Sequence, residues 1–149
     1  MYKRILVPTD GSETAGLGLR EAIGLAKKLE ARVRLLYVLN KLPWVSTDIS
    51  ESMMVQQLVD ELRGNGESIL HEATRAVRDA GLEADSRLIE ALGTEAGESI
   101  VAEAASWPAE LIVCGTHGRR GVRRLLMGSD AEYVVRHSPV PVLLVRAPS

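Results

Sequence analysis

The sequence predicts an α/β fold, with a doubly wound parallel sheet of five strands covered by helices on both faces. Short apolar runs alternate with segments of helical periodicity along the whole chain, which is typical of repeated β-α-β units. The length of 149 residues suits one domain, and no linker or low-complexity segment divides it. Because crossover helices join parallel strands, both faces of the sheet are expected to be buried.

The first half of the chain is expected to form, in order, strand 5–8, helix 13–30, strand 32–39, loop 40–52 and helix 53–80. Gly64 and Gly66 interrupt the last of these segments, and each glycine costs a helix about 1 kcal/mol relative to alanine. The apolar stripe keeps its phase across both glycines, so one helix is expected, with room for a bend. Gly81 is expected to end this helix.

The second half is expected to continue with strand 84–90, helix 95–106, strand 111–114, helix 129–137 and strand 140–145. Thr94 is the predicted N-cap of the helix at 95–106, because its hydroxyl can accept a hydrogen bond from the first turn. In a doubly wound sheet, ligands bind beyond the carboxyl ends of the strands, where the winding direction reverses. The residues that follow each strand are therefore the candidates for function.

Composition excludes several classes of protein. Hydrophobic residues make up 46% of the chain and charged residues 26%, which is too apolar for a disordered protein. The net charge of −2 disfavours a nucleic-acid-binding role, and no apolar run approaches the roughly 18 residues of a membrane span. Cys114 is the single cysteine and is expected to be an inert core residue. The first apolar run is too short for the core of a signal peptide, so a cytoplasmic location is expected.

The segment 115–129 carries the strongest functional signal. Gly115 and Gly118 allow close backbone approach to a ligand, and Gly128 and Ser129 begin the next predicted helix, where free N–H groups favour an anion. Four arginines, of which Arg119 comes first, add positive charge. These features predict a phosphate-binding loop, and the alternative is a surface loop with a capped helix and solvated arginines. His117 would shape this loop or contact phosphate rather than act as a general base.

Asp10 is the second candidate. It follows the first strand in the run Pro8, Thr9, Asp10, Gly11, Ser12. A carboxylate at this position can accept hydrogen bonds from ribose hydroxyls or hold a metal ion such as Mg²⁺. The alternative is that Asp10 or Ser12 caps the helix that follows, and both roles are compatible if the two residues divide them.

These motifs together resemble the universal stress protein family. The opening run at 7–12 is similar to the family's Val-Pro-x-Asp-Gly-Ser, and the last strand contains the similar run Pro-Val-Leu-Leu-Val at 141–145. Gly115, Gly118, Gly128 and Ser129 are similar to the family's nucleotide motif, in which two glycines separated by two residues are followed by nine residues and then Gly-Ser or Gly-Thr. The resemblance extends over about residues 3–146 and includes the three motifs in order.

The resemblance implies a Rossmann-like sheet of strand order 3-2-1-4-5 and binding of ATP or another adenine nucleotide. Asp10 would contact either the ribose or the metal–phosphate end of the nucleotide. The adenine would lie against the backbone near Val38, and the glycine motif would hold the ribose and the phosphates. Asp130 departs from the family, which often has an apolar residue there, and its charge would repel a triphosphate unless a cation bridges them. The nucleotide-binding residues expected in total are Pro8, Thr9, Asp10, Val38, Gly115, His117, Gly118, Arg119, Gly128, Ser129 and Asp130.

The expected function is that of an ATP-binding regulatory protein of the stress response. No set of residues forms a convincing hydrolytic centre, so at most slow ATP hydrolysis is expected. The alternatives are a weak ATPase or nucleotide-transfer enzyme, and a dimeric interaction or chaperone-like module that binds no nucleotide. The last strand, 140–145, is apolar and carries no charge to guard a sheet edge. A homodimer through this strand is therefore expected, and the resemblance implies the same.

Overall fold

The computed structural model describes residues 1–41, 53–92, 95–116 and 127–148. These residues form five strands and four helices that alternate as the sequence predicts. In chain order they are β1 (Arg4–Pro8), α1 (Glu13–Leu29), β2 (Arg32–Asn40), α2 (Met53–Asp79), β3 (Ala84–Ala91), α3 (Ala96–Ser106), β4 (Leu111–Gly115), α4 (Ser129–His137) and β5 (Val142–Val145). None of these helices combines the length and apolar character needed to cross a membrane.

All five strands are parallel and lie in the order β3-β2-β1-β4-β5, which confirms the Rossmann-like sheet. Central β1 is apolar and has no accessible surface at Ile5, Leu6 and Val7. Helices α1 and α2 pack on the face that contains Ile5 and Val7, and α3 and α4 pack on the face that contains Leu6. The winding direction therefore reverses between β1 and β4, as a doubly wound sheet requires.

Helix α2 is one continuous helix of 27 residues despite its two internal glycines. Gly64 is exposed, whereas Gly66 is buried against the ring of Tyr37 on β2. A Cβ atom at Gly66 would lie 2.6 Å from Cε1 of Tyr37, so this glycine allows the helix to approach the sheet. Gly81, with a φ of +83°, ends the helix as predicted. Its N–H donates to the carbonyl of Arg78, as in a Schellman motif.

Most predicted boundaries agree within one residue, but the predicted N-cap of α3 and the predicted start of β5 are wrong. The N-cap of α3 is Glu95 rather than Thr94, which lies outside the described residues, and the side chain of Glu95 makes no capping hydrogen bond. Strand β5 begins at Val142 rather than at residue 140. The N–H of Val140 donates to the hydroxyl of Ser138 at 3.1 Å, and that hydroxyl donates to the carbonyl of Val140 at 2.6 Å. This local turn keeps Val140 out of the strand.

A network of charged side chains around the buried Glu103 joins α3 to β2 and β3. Arg34 makes two hydrogen bonds of 2.8 Å to Asp85 and one of 2.9 Å to Glu103, and it lies 4.7 Å from the ring centre of Trp107. The second oxygen of Glu103 accepts a hydrogen bond of 2.8 Å from Arg87. The hydrogen bonds from Arg34 hold the pKa of Asp85 below its ordinary value. Glu103 is only 2% exposed, so its two arginine partners offset the cost of burying its charge.

Candidate functional site

The segment that follows β1 forms a tight turn into α1. The N–H of Thr9 donates to the carbonyl of Leu36 at 2.8 Å, which continues the sheet one residue past Pro8. A carboxylate oxygen of Asp10 accepts a hydrogen bond of 2.9 Å from the N–H of Ser12, across Gly11 at a φ of +82°. The hydroxyl of Ser12 accepts a hydrogen bond of 3.2 Å from the third residue of α1. Ser12 therefore caps the helix, as one of the two alternatives predicted, and Asp10 stabilises the turn.

The end of β4 lies directly against the first turn of α1. A Cβ atom at Gly115 would lie 2.8 Å from the carbonyl oxygen of Thr14, and a Cβ atom at Gly18 would lie 3.4 Å from the nitrogen of Gly115. Gly115 is thus required for helix–strand packing, a reason that the sequence analysis did not give. This packing holds the Asp10 turn beside the end of β4. The carboxyl ends of β1 and β4 are therefore neighbours at this edge of the sheet.

Thr116 connects the end of β4 to two other elements through its backbone. Its N–H donates to the carbonyl of Val145 on β5 at 3.0 Å, and its carbonyl accepts a hydrogen bond of 2.7 Å from the N–H of Gly128. Gly128 is the N-cap of α4, with a φ of −61° and a ψ of 153°. The first turn of α4 is therefore fixed beside the end of β4, at the carboxyl edge of the sheet. Sequence reasoning missed Thr116 because a backbone role leaves no side-chain signal.

The first turn of α4 has no side-chain cap, because its N-cap residue is a glycine. Ser129 is exposed, and its hydroxyl has no hydrogen-bond partner within the described part of the chain. A helix N-terminus of this kind presents N–H donors and the positive end of the helix dipole to an anion. Chemically, this edge can hold a phosphate group, with the serine hydroxyl as an additional donor.

Asp130, in the same first turn, faces a different helix. A carboxylate oxygen of Asp130 accepts a hydrogen bond of 3.1 Å from the N–H of Gly97 in the first turn of α3. The helices can approach this closely because Gly97 has no side chain, and a Cβ there would lie 2.7 Å from Cβ of Tyr133 on α4. Asp130 thus supplies the capping acceptor that Glu95 does not provide. This explains why the sequence rule for an N-cap fails at α3.

Val38 lies on β2, next to β1 in the sheet. The register pairs Pro8, the last residue of β1, with Leu36, and Val38 lies two residues further towards the carboxyl edge of the sheet. Val38 is half-buried and packs against the cluster beneath α3 and α4. The described residues therefore bring the predicted Asp10, Val38, Gly115, Gly128 and Ser129 positions to one edge. His117, Gly118 and Arg119 lie outside the described residues, as do the rest of segment 117–126 and the loop at 42–52.

The described residues offer no preformed metal site, since no three of their His, Cys, Asp and Glu side chains cluster closely enough to hold an ion. Cys114 is buried at the end of β4, and burial raises the pKa of its thiol to about 11. The thiol is therefore neutral at physiological pH and is unsuited to act as a nucleophile. This agrees with its expected place in the core.

An open groove of about 560 Å³ lies at the opposite end of the sheet, near the amino ends of the strands. Four of its charged side chains form ion pairs, Lys3 with Glu30 at 4.0 Å and Arg32 with Glu83 at 2.7 Å. In an α/β sheet, ligand sites lie beyond the carboxyl ends of the strands. The groove is therefore not the candidate site.

The fold is that of a known family of α/β proteins. A model described as the universal stress protein family matches residues 1–146, and the chain belongs to this family. Over 149 residues it is 35% identical to the universal stress protein MJ0531 of Methanocaldococcus jannaschii, and the match covers 99% of this chain and 84% of that protein.

Solved structures show the same fold. The structure of MJ0577 has a TM-score of 0.86 at 27% identity and covers 100% of this chain and 99% of its own. A universal stress protein family member from Burkholderia pseudomallei has a TM-score of 0.78 at 32% identity, with coverages of 98% and 97%. Two more distant structures contain nucleotides. The protein from Archaeoglobus fulgidus binds dAMP (TM-score 0.66, 24% identity, coverages 97% and 98%), and one from Arabidopsis thaliana binds AMP (0.70, 13%, 99% and 93%).

Proposed function

We propose that this universal stress protein binds an adenine nucleotide, with ATP the ligand first expected, at the carboxyl edge between β1 and β4. The observation that carries the proposal is the uncapped first turn of α4, which the Thr116–Gly128 hydrogen bond fixes beside the end of β4. In this arrangement, backbone N–H groups of α4 and the hydroxyl of Ser129 would bind phosphate. The occurrence of AMP and dAMP in proteins of the same fold supports an adenine nucleotide as the ligand class.

The other parts of the nucleotide would lie along the same edge. The ribose would contact the turn at Asp10, and the adenine would lie against the backbone near Val38, two residues beyond the Pro8–Leu36 pair on β2. Gly118 would permit close backbone approach, and Arg119 would add positive charge near the phosphates. Any Mg²⁺ would arrive with the phosphates, and Asp10 is the carboxylate that would face it.

We propose a regulatory role rather than an enzymatic one. Nucleotide occupancy would be read by protein partners in the stress response, in a cytoplasmic setting. Slow ATP hydrolysis is the enzymatic alternative, and it would depend on Asp10 as the residue on the metal–phosphate side. Steady-state ATP turnover that disappears in Asp10→Ala, with ATP binding retained, would support that alternative.

The first test is to denature the purified protein and to identify any released nucleotide by mass and absorbance. The second test compares Ser129→Ala with the matched variant Ser129→Thr, which keeps the hydroxyl. Hydrogen bonds to charged groups contribute roughly 1.5–3 kcal/mol, so the alanine variant should weaken the binding of AMP or ATP by about tenfold to a hundredfold and the threonine variant much less. Adenosine should bind both variants equally, because it has no phosphate. Calorimetry that detects no adenine nucleotide or nucleoside bound to the parent protein would favour the interaction-module alternative.

We also propose that the protein forms a homodimer through β5. All four of its residues are only partly buried, and the strand contains no charge, whereas the opposite edge strand β3 carries Asp85, Arg87 and Glu90. The carbonyls of residues 141 and 145 face β4, so the backbone groups of Val142 and Leu144 face outward from the sheet. These outward groups are free to pair with the same strand of a second copy about a two-fold axis.

A further inference from the structure

We propose that Asp130 is a specificity-determining residue that makes the site prefer nucleoside monophosphates over metal-free triphosphates. This inference rests on the proposed nucleotide site and names the ligand class within it. The first turn of α4 contains both the N–H donors proposed to bind phosphate and the carboxylate of Asp130. The site would thus attract one phosphate group and oppose the accumulation of further negative charge beside it.

The carboxylate is held in place rather than free to swing away from a ligand. Its oxygen accepts the hydrogen bond of 3.1 Å from the N–H of Gly97, on a helix whose own N-cap side chain makes no capping bond. Close packing of Gly97 against Tyr133 keeps the first turns of α3 and α4 together. Moving Asp130 aside would leave the N–H of Gly97, which belongs to a buried residue, without this acceptor.

The charge of Asp130 is not cancelled by a neighbouring cation within the described residues. Glu132, two residues further along α4, pairs with Arg136 at 3.0 Å, whereas no such ion pair forms at Asp130 in the described ranges. Each phosphate group adds about one to two negative charges to the ligand. Repulsion from a fixed carboxylate therefore grows from adenosine to AMP to ATP, and a cation bound by the phosphates reduces it.

The test uses Asp130→Asn, which removes the charge but keeps an oxygen able to accept from Gly97. Affinities for adenosine, AMP and ATP are measured by calorimetry at low salt in the presence of a chelator. The variant should bind ATP roughly fivefold more tightly than the parent, AMP about twofold more tightly, and adenosine equally. The gain for ATP should shrink as salt is raised, because the site is exposed. Adding Mg²⁺ should reduce the difference between the ATP and AMP affinities more in the parent protein than in the variant.

Glu132→Gln is the matched control, since it removes a charge from the same helix turn without removing a cap. It should leave the ratio of ATP to AMP affinity at the parent value. An Asp130→Asn protein that unfolds at the parent's denaturant midpoint and keeps the parent's ATP to AMP ratio would overturn the inference. Adenosine and AMP binding by that same protein would show that the proposed nucleotide site stands. If the parent protein binds none of the three ligands, the proposed function itself is wrong, and so is this inference.

Discussion

Gly66 lies where α2 comes closest to the sheet, and its replacement by alanine is expected to destabilise the protein although alanine is the better helix former. A Cβ atom at this position would lie 2.6 and 2.7 Å from two ring carbons of Tyr37. The tyrosine is 6% exposed and is packed in the core, so the ring has little room to move. Overpacking of this kind costs roughly 1–3 kcal/mol, and the gain in helix propensity returns about 1 kcal/mol. The expected net loss is about 1 kcal/mol.

Gly64 provides the matched control because it lies in the same helix, is exposed, and would place a Cβ with no atom within 4 Å. Gly64→Ala should therefore stabilise the protein by up to about 1 kcal/mol. The gain in helix propensity is common to both variants. The difference between their free energies of unfolding therefore measures the clash with the ring alone and should be about 2 kcal/mol.

The measurement is urea-induced unfolding followed by far-ultraviolet circular dichroism, at one fixed protein concentration so that any association affects all variants alike. Combining Gly66→Ala with Tyr37→Leu removes the ring that would be struck, and in that background the alanine should no longer be destabilising. Equal unfolding free energies for Gly64→Ala and Gly66→Ala would refute the packing argument, as would an unchanged cost of Gly66→Ala in the Tyr37→Leu background.

Three further predictions concern other parts of the molecule. Val142→Pro removes an N–H that faces outward from β5 and should shift the protein towards monomer in sedimentation velocity; a dimer in the variant as stable as in the parent would contradict pairing through this edge. Glu103→Ala removes the hydrogen bonds that Glu103 accepts from Arg34 and Arg87, while Arg34 keeps its two bonds to Asp85, and should lower the free energy of unfolding by about 2 kcal/mol. An unchanged urea midpoint would show that the network adds nothing. Cys114, with its pKa raised to about 11, should react with iodoacetamide at pH 8 about a hundredfold more slowly in the native than in the unfolded protein, and equal rates would mean that the thiol is accessible and ionised.

Local pattern was sufficient to predict most of the fold. The apolar run of β1 and the stripe of α2 depend on which side chains face the core, and that information is periodic in the sequence. The boundaries that failed depend on partners far away or on a particular turn. The cap of α3 comes from Asp130, 33 residues beyond Gly97, and the start of β5 is set by the hydroxyl of Ser138.

The candidate site was predictable in its position but not in its details. The rule that ligands bind where the winding reverses selected the ends of β1 and β4, and Asp10 and Gly128 lie there. The reason for a glycine at 115 was not predictable, because it depends on the carbonyl of Thr14 from another element. A backbone link such as Thr116 is likewise invisible in a sequence, since any residue other than proline could form it.

The unlike edges of the sheet also limit how large an assembly can become. If β5 of one chain paired with β3 of the next, the contact would join two different surfaces, and copies could be added without end as in a fibre. The charged residues Asp85, Arg87 and Glu90 along β3 oppose that arrangement, because an approaching apolar strand would have to desolvate them. Pairing of β5 with β5 of a second copy would instead cover the exposed edge of both copies. In the proposed dimer, growth by this strand would therefore stop at two chains, and the apolar edge would carry no risk of polymerisation.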